Sequence, residues 1–187
     1  MKENTRKIAV LVADAFQDSE FFLPKIELQK AGIEIEIISI EPGSVDMWSF
    51  FDSIGSLAVD KTISEVNPDD YIGVLIPGGA KSPSTLSENQ DVLDFVGQVG
   101  KQGKLVASIC RGSLLAASAG MAEGKKITGF RDDTKWPELA IHEKVESLGG
   151  VWQDNQPVVI DGNLISSPHP DYAGDFTDAI AQWFDQS

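Results

Sequence analysis

Short, nearly continuous apolar runs alternate with helical patterns along this chain, and that alternation constrains its fold more than any other feature. KIAVLVA leads into a helical pattern from Asp18 to Ala31; IEIEIISI and YIGVLIPGG follow; then come a helix from Glu88 to Gln102 and KLVASIC with a helix of its own. Strands apolar on both faces belong to a mostly parallel sheet with helices packed against each side. The expectation is an α/β three-layer sandwich. Pro24 falls early in the first helical pattern, where a missing N–H is tolerated or bends the helix modestly. Near the C-terminus, PVVIDGNLISS places Asp161-Gly162 between two apolar runs, a hairpin signal, and DFTDAIAQWF reads as a closing helix. No repeat, low-complexity tract or linker interrupts the pattern, so residues 1–187 read as a single domain.

Charge narrows the range of partners. Fifteen Lys and Arg against 29 Asp and Glu give a net charge of −14, which repels nucleic-acid phosphates and anionic lipid alike. Neither nucleic acid nor membrane is expected as a partner. MKENTRK runs directly into a short apolar segment unsuited to a signal peptide or a spanning helix, and the lone cysteine cannot form an intrachain disulfide; both favour the cytoplasm. There is no GxGxxG after a strand, no GxxxxGK[ST], and no Cys/His cluster spaced for zinc, so no cofactor and no metal are expected.

In an open α/β sheet, sites form beyond the carboxyl ends of the strands. Three such ends carry unusual residues: ADAFQDSE, IPGGAKS and ICRGS. Cys110, in ICRGS, sits at the turn from a buried strand into a helix, where outward N–H groups and the helix dipole favour an anion; its pKa is expected below the free value of about 8.5. Gly112 permits the tight turn. The same residue also reads as a small buried hydrophobe, and position alone leaves both readings open. Two glycines in IPGGAKS let the main chain approach a ligand, so the Gly79 and Arg111 N–H groups are candidate oxyanion donors.

The segments AFQDSEFFLPKIELQKAGIEI, DDYIGVLIPGGAKSPSTL, GKLVASICRGSLLAASAGMAEGKKIT and PVVIDGNLISSPHPDYAGDF, in that order, resemble the DJ-1/PfpI family within the class I glutamine-amidotransferase-like superfamily. The resemblance covers nearly the whole chain. It implies a flavodoxin-like sandwich with a nucleophile elbow at Cys110, and a reactive cysteine reached by the Glu four residues before a Pro, here Glu20 and Pro24. It also implies a homodimer or a multiple of one. Read without the family, Glu20 is an ordinary exposed first-turn carboxylate. Beside a thiolate, by contrast, a carboxyl holds its proton and donates it to sulfur, and the two groups titrate as a pair.

One departure bears on function. Family members described as peptidases carry His directly after the nucleophile, whereas this chain has Arg111, which stabilises a thiolate but cannot accept and return a proton. Of the two histidines, His142 lies in the helical pattern KWPELAIHEKVESLGG and reads as exposed. His169 resembles in place the His of the superfamily's His-Pro-Glu segment and is a further candidate for the site. The aromatic segment VDMWSFFDSIG, Val45 to Gly55, either covers the rim, joins a subunit interface or folds onto its own core, and Trp136 borders the pocket or simply packs. The leading expectation is a cysteine-dependent enzyme acting on small carbonyl or glycated substrates, with Cys110 forming a hemithioacetal and Glu20 moving the proton. A non-catalytic redox or stress protein with an oxidisable Cys110 is the alternative. Cysteine peptidase is a third, disfavoured by Arg111.

Overall fold

The structure is a computed structural model that describes residues 6–186; the first five residues, part of the leader argument above, lie outside it. In chain order the strands and helices are β1 (Lys7–Leu11), β2 (Phe16–Gln17), α1 (Ser19–Lys30), β3 (Glu34–Ser39), β4 (Ser44–Ser49), β5 (Asp52–Ala58), β6 (Lys61–Thr62), β7 (Gly73–Ile76) and α2 (Ser82–Ser87). They continue with α3 (Gln90–Lys101), β8 (Leu105–Ile109), α4 (Gly112–Ser118), β9 (Lys126–Ile127), α5 (His142–Ser147), β10 (Val151–Trp152), β11 (Val159–Asp161), β12 (Leu164–Ser167) and α6 (Ala173–Gln186).

Seven strands form the central sheet in the order β11-β12-β8-β7-β1-β3-β6. All pairings are parallel except that of the edge strand β11 with β12. The strand period of two sends alternate side chains into two separate cores. Ala9, Leu11, Val74, Ile76 and Val106 pack with Val92, Phe95 and Val96 of α3 and Leu115 of α4. Ile8, Val10, Leu75, Ala107 and Ile109 pack instead with Phe21 and Leu28 of α1 and Phe176 and Ile180 of α6. Each fully buried Phe or Leu in these layers contributes on the order of 1.5–3 kcal/mol. The expected three-layer α/β sandwich is the observed one, and the central strands read as unbroken apolar runs because both of their faces are covered.

The hairpin at Asp161 forms with Asp161 paired to Leu164, so its two-residue loop is Gly162-Asn163, one position later than the sequence suggested. Asn163 fastens that loop: its Nδ2 donates to the carbonyls of Gly100 and Lys104, 2.9 and 2.7 Å away, and its Oδ1 accepts from Lys125 Nζ at 2.9 Å. The helical pattern from Lys135 to Gly150 shortens to a single 3₁₀ turn, Pro137–Leu139, and α5. His142 opens α5 rather than standing in solvent; its side chain is 15% exposed and packs against Trp152. The aromatic segment is itself a hairpin, β4 with β5, joined to β2 in a separate three-stranded sheet.

Candidate active site

Three chain segments meet at the carboxyl ends of β1, β7 and β8. Cys110 follows β8 and precedes α4 with φ at 57°, a left-handed conformation rarely held by a residue with a side chain. The surroundings impose it. The Cys110 N–H donates to Ser167 O at 2.8 Å, its carbonyl accepts from Phe130 N at 3.1 Å, and α4 lies so close to β7 that a Cβ on Gly112 would meet Ile76 O at 2.2 Å. Such strain costs of order 1–3 kcal/mol and persists only where the fold over-determines it. The elbow predicted from the Cys-x-Gly spacing is present.

Glu20 comes from the first turn of α1 and is completely buried. Pro24, four residues on, lacks the N–H that would otherwise bond the Glu20 carbonyl, and α1 continues through it. The carboxyl is held from one side only: Oε2 accepts from Gly78 N at 2.6 Å, while Oε1 has no hydrogen-bond partner. Burial is the main cause pushing Glu20 up to about 8, opposed by the Gly78 N–H. Below that pH the carboxyl is protonated, and Oε1, the oxygen without a partner, is the one free to carry the proton. The carboxyl and the Cys110 sulfur lie close enough that each shifts the other's ionisation.

The expectation for the thiol itself is reversed. Burial first, and then the neighbouring Glu20, push Cys110 above the ordinary thiol range; the Arg111 N–H and guanidinium oppose them without prevailing. The reasoning from the helix end omitted desolvation, which dominates where the residue is only 8% exposed. Two negative charges cannot coexist here, so the pair ionises as a unit.

Gly78 is the residue that sequence reasoning passed over in favour of its neighbour. A Cβ there would lie 2.8 Å from Glu20 Oε2, 2.9 Å from Arg111 N and 2.9 Å from Cys110 Cβ. It is the bare point against which all three pack, and the double glycine after a buried strand was its signal. Gly79, with φ at 114°, borders the pocket beside Cys110 and Arg111.

Above the sulfur is a small pocket of about 60 Å³, lined by Gln17, Phe50, Phe51, Phe130, Trp136 and His169 among others. The aromatic hairpin therefore covers the rim, and Trp136 borders the pocket, its ring 5.3 Å from that of Phe51. Gln17 fixes the hairpin tip by accepting the Phe50 N–H at 2.9 Å. His169 reaches the wall, where its ring stacks near Phe130 and its Nδ1 lies 3.3 Å from the Asp171 N–H. Arg111 lines the pocket beside Cys110, and its guanidinium donates to the carbonyls of Gly79, Ala80 and Leu139 and to Ser84 Oγ. Among the described residues, no group of three or more His, Cys, Asp or Glu side chains is placed to hold a metal ion.

The sequence profile of the DJ-1/PfpI family matches residues 6–182. The chain is 34% identical over 164 residues to Deglycase PfpI of Pyrococcus furiosus, covering 88% of this chain and 90% of that one. It is 34% identical over 167 residues to Protein/nucleic acid deglycase 2 of Escherichia coli, covering 89% and 91%. Its fold superimposes with a TM-score of 0.85 and 30% identity on a two-domain protein of Anabaena variabilis containing DJ-1/ThiJ/PfpI-like and ferritin-like domains, covering 96% of this chain but 48% of that one. With its profile matched across nearly the whole sequence, and with Cys110 on a strand-to-helix elbow beside a buried Glu20, the chain belongs to the DJ-1/PfpI family.

Proposed function

We propose that this chain is a cysteine-dependent enzyme acting on small 2-oxoaldehydes or on the glycated groups they form. One observation carries the reading: a fully buried carboxyl that keeps its proton to about 8, with one oxygen unpartnered, lies beside a nucleophile held in a strained elbow that lines a pocket. Relatives named deglycases support it. Size agrees with it as well, because the space of about 60 Å³ beside the sulfur admits only a small group to the reacting atom.

The chemistry uses residues already in place. The Cys110 sulfur adds to the aldehyde carbon, the carbonyl oxygen takes up the proton that Glu20 relays, and a hemithioacetal forms. Glu20 then removes the proton from that carbon and returns it to the adjacent one, while the hydroxyl proton passes from the first oxygen to the second through the enediol, converting the hemithioacetal into a 2-hydroxy thioester. Water hydrolyses the thioester to a 2-hydroxy acid and restores the thiol. One carbon is oxidised while its neighbour is reduced, so no external oxidant or reductant is needed. The Arg111 N–H, with that of Gly79, is suited to the oxyanion of the hydrolytic step.

Amide cleavage fits less well. Arg111 cannot protonate an amine leaving group, and its guanidinium is engaged with the carbonyls of Gly79, Ala80 and Leu139. The test is a panel of methylglyoxal, a glycated thiol and a fluorogenic peptide with the native protein and its Cys110→Ser variant. Turnover of the first two that disappears in the variant is expected. Peptide cleavage alone, or turnover that survives the substitution, overturns the proposal.

A further inference from the structure

Arg111 occupies the position next to the nucleophile, and its surroundings are unusual for a charged group. The residue is 9% exposed. Nε donates to Leu139 O at 3.1 Å, one terminal nitrogen donates to Gly79 O at 3.0 Å and to Ala80 O, and the other donates to Ser84 Oγ at 3.0 Å. Four of the five guanidinium N–H groups are thus satisfied, every one of them by a neutral acceptor. Among the described residues, no carboxylate lies within ion-pair distance of it. Carbonyl oxygens satisfy the donors without cancelling the charge.

The other ionisable groups on the pocket wall do not cancel it either. Glu20 is neutral at ordinary pH, Cys110 is a buried thiol, and His169 stands at the outer wall. The pocket's permanent formal charge is therefore a single positive one, in a chain whose net charge is −14. A cation without a counter-ion, only 9% exposed and on the wall of the pocket that holds the reacting sulfur, attracts an anion far more strongly than it would at the surface. The molecule as a whole repels anions, so a preference for them has to arise locally.

We propose that Arg111 makes the pocket selective for anionic carbonyl compounds, meaning 2-oxoaldehydes or glycated groups bearing a carboxylate, over neutral and cationic analogues. This deepens the function proposed above and rests on its reading of Cys110 as the reactive residue. Through Gly79, Ala80, Ser84 and Leu139 the same side chain ties together the segments that form the wall, so its charge and its hydrogen bonds need separate variants.

The test compares two alkylating agents of nearly equal shape, iodoacetate and iodoacetamide, by the rate at which each modifies Cys110 in the folded protein. The ratio is normalised to that of glutathione in the same buffer. Selection by Arg111 predicts a normalised ratio raised by about tenfold or more, retained in Arg111→Lys and lost in Arg111→Gln, with thermal melts establishing that each variant is folded. Should Arg111→Gln not fold, the native ratio and its persistence in moderate salt still decide. A native ratio at or below that of glutathione overturns the inference, as does a folded-state thiol that resists both reagents. Enzyme turnover is followed separately with 4,5-dioxopentanoate and methylglyoxal. A higher kcat/KM for the anionic compound is expected, and equal or lower efficiency overturns the inference while leaving the proposed function intact. A raised iodoacetate ratio with turnover of neither compound instead supports the anion-selective pocket and defeats the enzyme reading.

Discussion

At the scale of single residues, the site depends on how many groups one bare backbone position brings together. Gly78 touches Glu20, Arg111 and Cys110 at once, so Gly78→Ala forces the elbow, the carboxyl or the strand end to shift. We expect a loss of about 1–3 kcal/mol in chemical unfolding together with loss of turnover. Glu20 gives a prediction with a definite sign. Its carboxyl titrates near about 8 in the folded chain and near about 4.3 when unfolded, so between those values only the folded chain keeps the proton. Its contribution to stability is fully present below the lower value and is lost as pH rises through the upper one. Glu20→Gln has no proton to lose. The melting temperature of the variant relative to the native protein should therefore rise from about pH 5 to about pH 8, and a difference constant with pH would contradict the assignment. The Cys110 elbow was legible because Cys-x-Gly at a strand end is a local pattern. The direction of the thiol's shift was not, because desolvation belongs to the assembled pocket and is written in no short segment.

At the scale of elements, the central strands and their helices were readable from hydrophobic runs, whereas the β4–β5 hairpin was not. Its register pairs Ser49 with Asp52, leaving Phe50-Phe51 as the two-residue loop, and Phe50 takes a φ of 55°. Loops of this length normally use glycine or asparagine at a position with positive φ, so the usual signal was missing. The strain places two aromatic rings over the pocket, and Gln17 holds the tip. Phe50→Gly should therefore leave the melting temperature unchanged or slightly raised, by relief of up to about 1 kcal/mol, while increasing KM several-fold by uncovering the mouth. Steady-state kinetics beside a thermal melt separate the two effects; unchanged KM would mean that the hairpin tip plays no part in substrate binding. His142 shows the opposite limit: its neighbours in sequence are charged, but the partner that covers it, Trp152, arrives from a strand ten residues later.

At the scale of the whole molecule, apolar surface remains on one flank of the site. Phe22, Leu23 and Ile26 of α1 are exposed, as are Phe50, Phe51 and Ile54 of the hairpin. Light scattering at micromolar concentration should give a homodimer or a multiple of it, and a monomer would count against burial of this face. The net charge of −14 predicts no binding to duplex DNA in a gel-shift titration at physiological salt. No helix among the described residues is long and apolar enough to cross a membrane. The sheet order, the two cores and the glycines at the strand ends all converge on the pairing of Glu20 with Cys110, which the proposed chemistry takes to share one proton. Its most direct test is the pH profile of Cys110 alkylation by iodoacetamide, measured by mass spectrometry on the folded native protein and on Glu20→Gln. The account predicts a native midpoint above the free-thiol value of about 8.5 and a shift of that midpoint to lower pH in the variant, where no carboxylate competes for the single negative charge. Coincident profiles would show that the two groups titrate independently and would contradict the coupling on which the proposed chemistry depends.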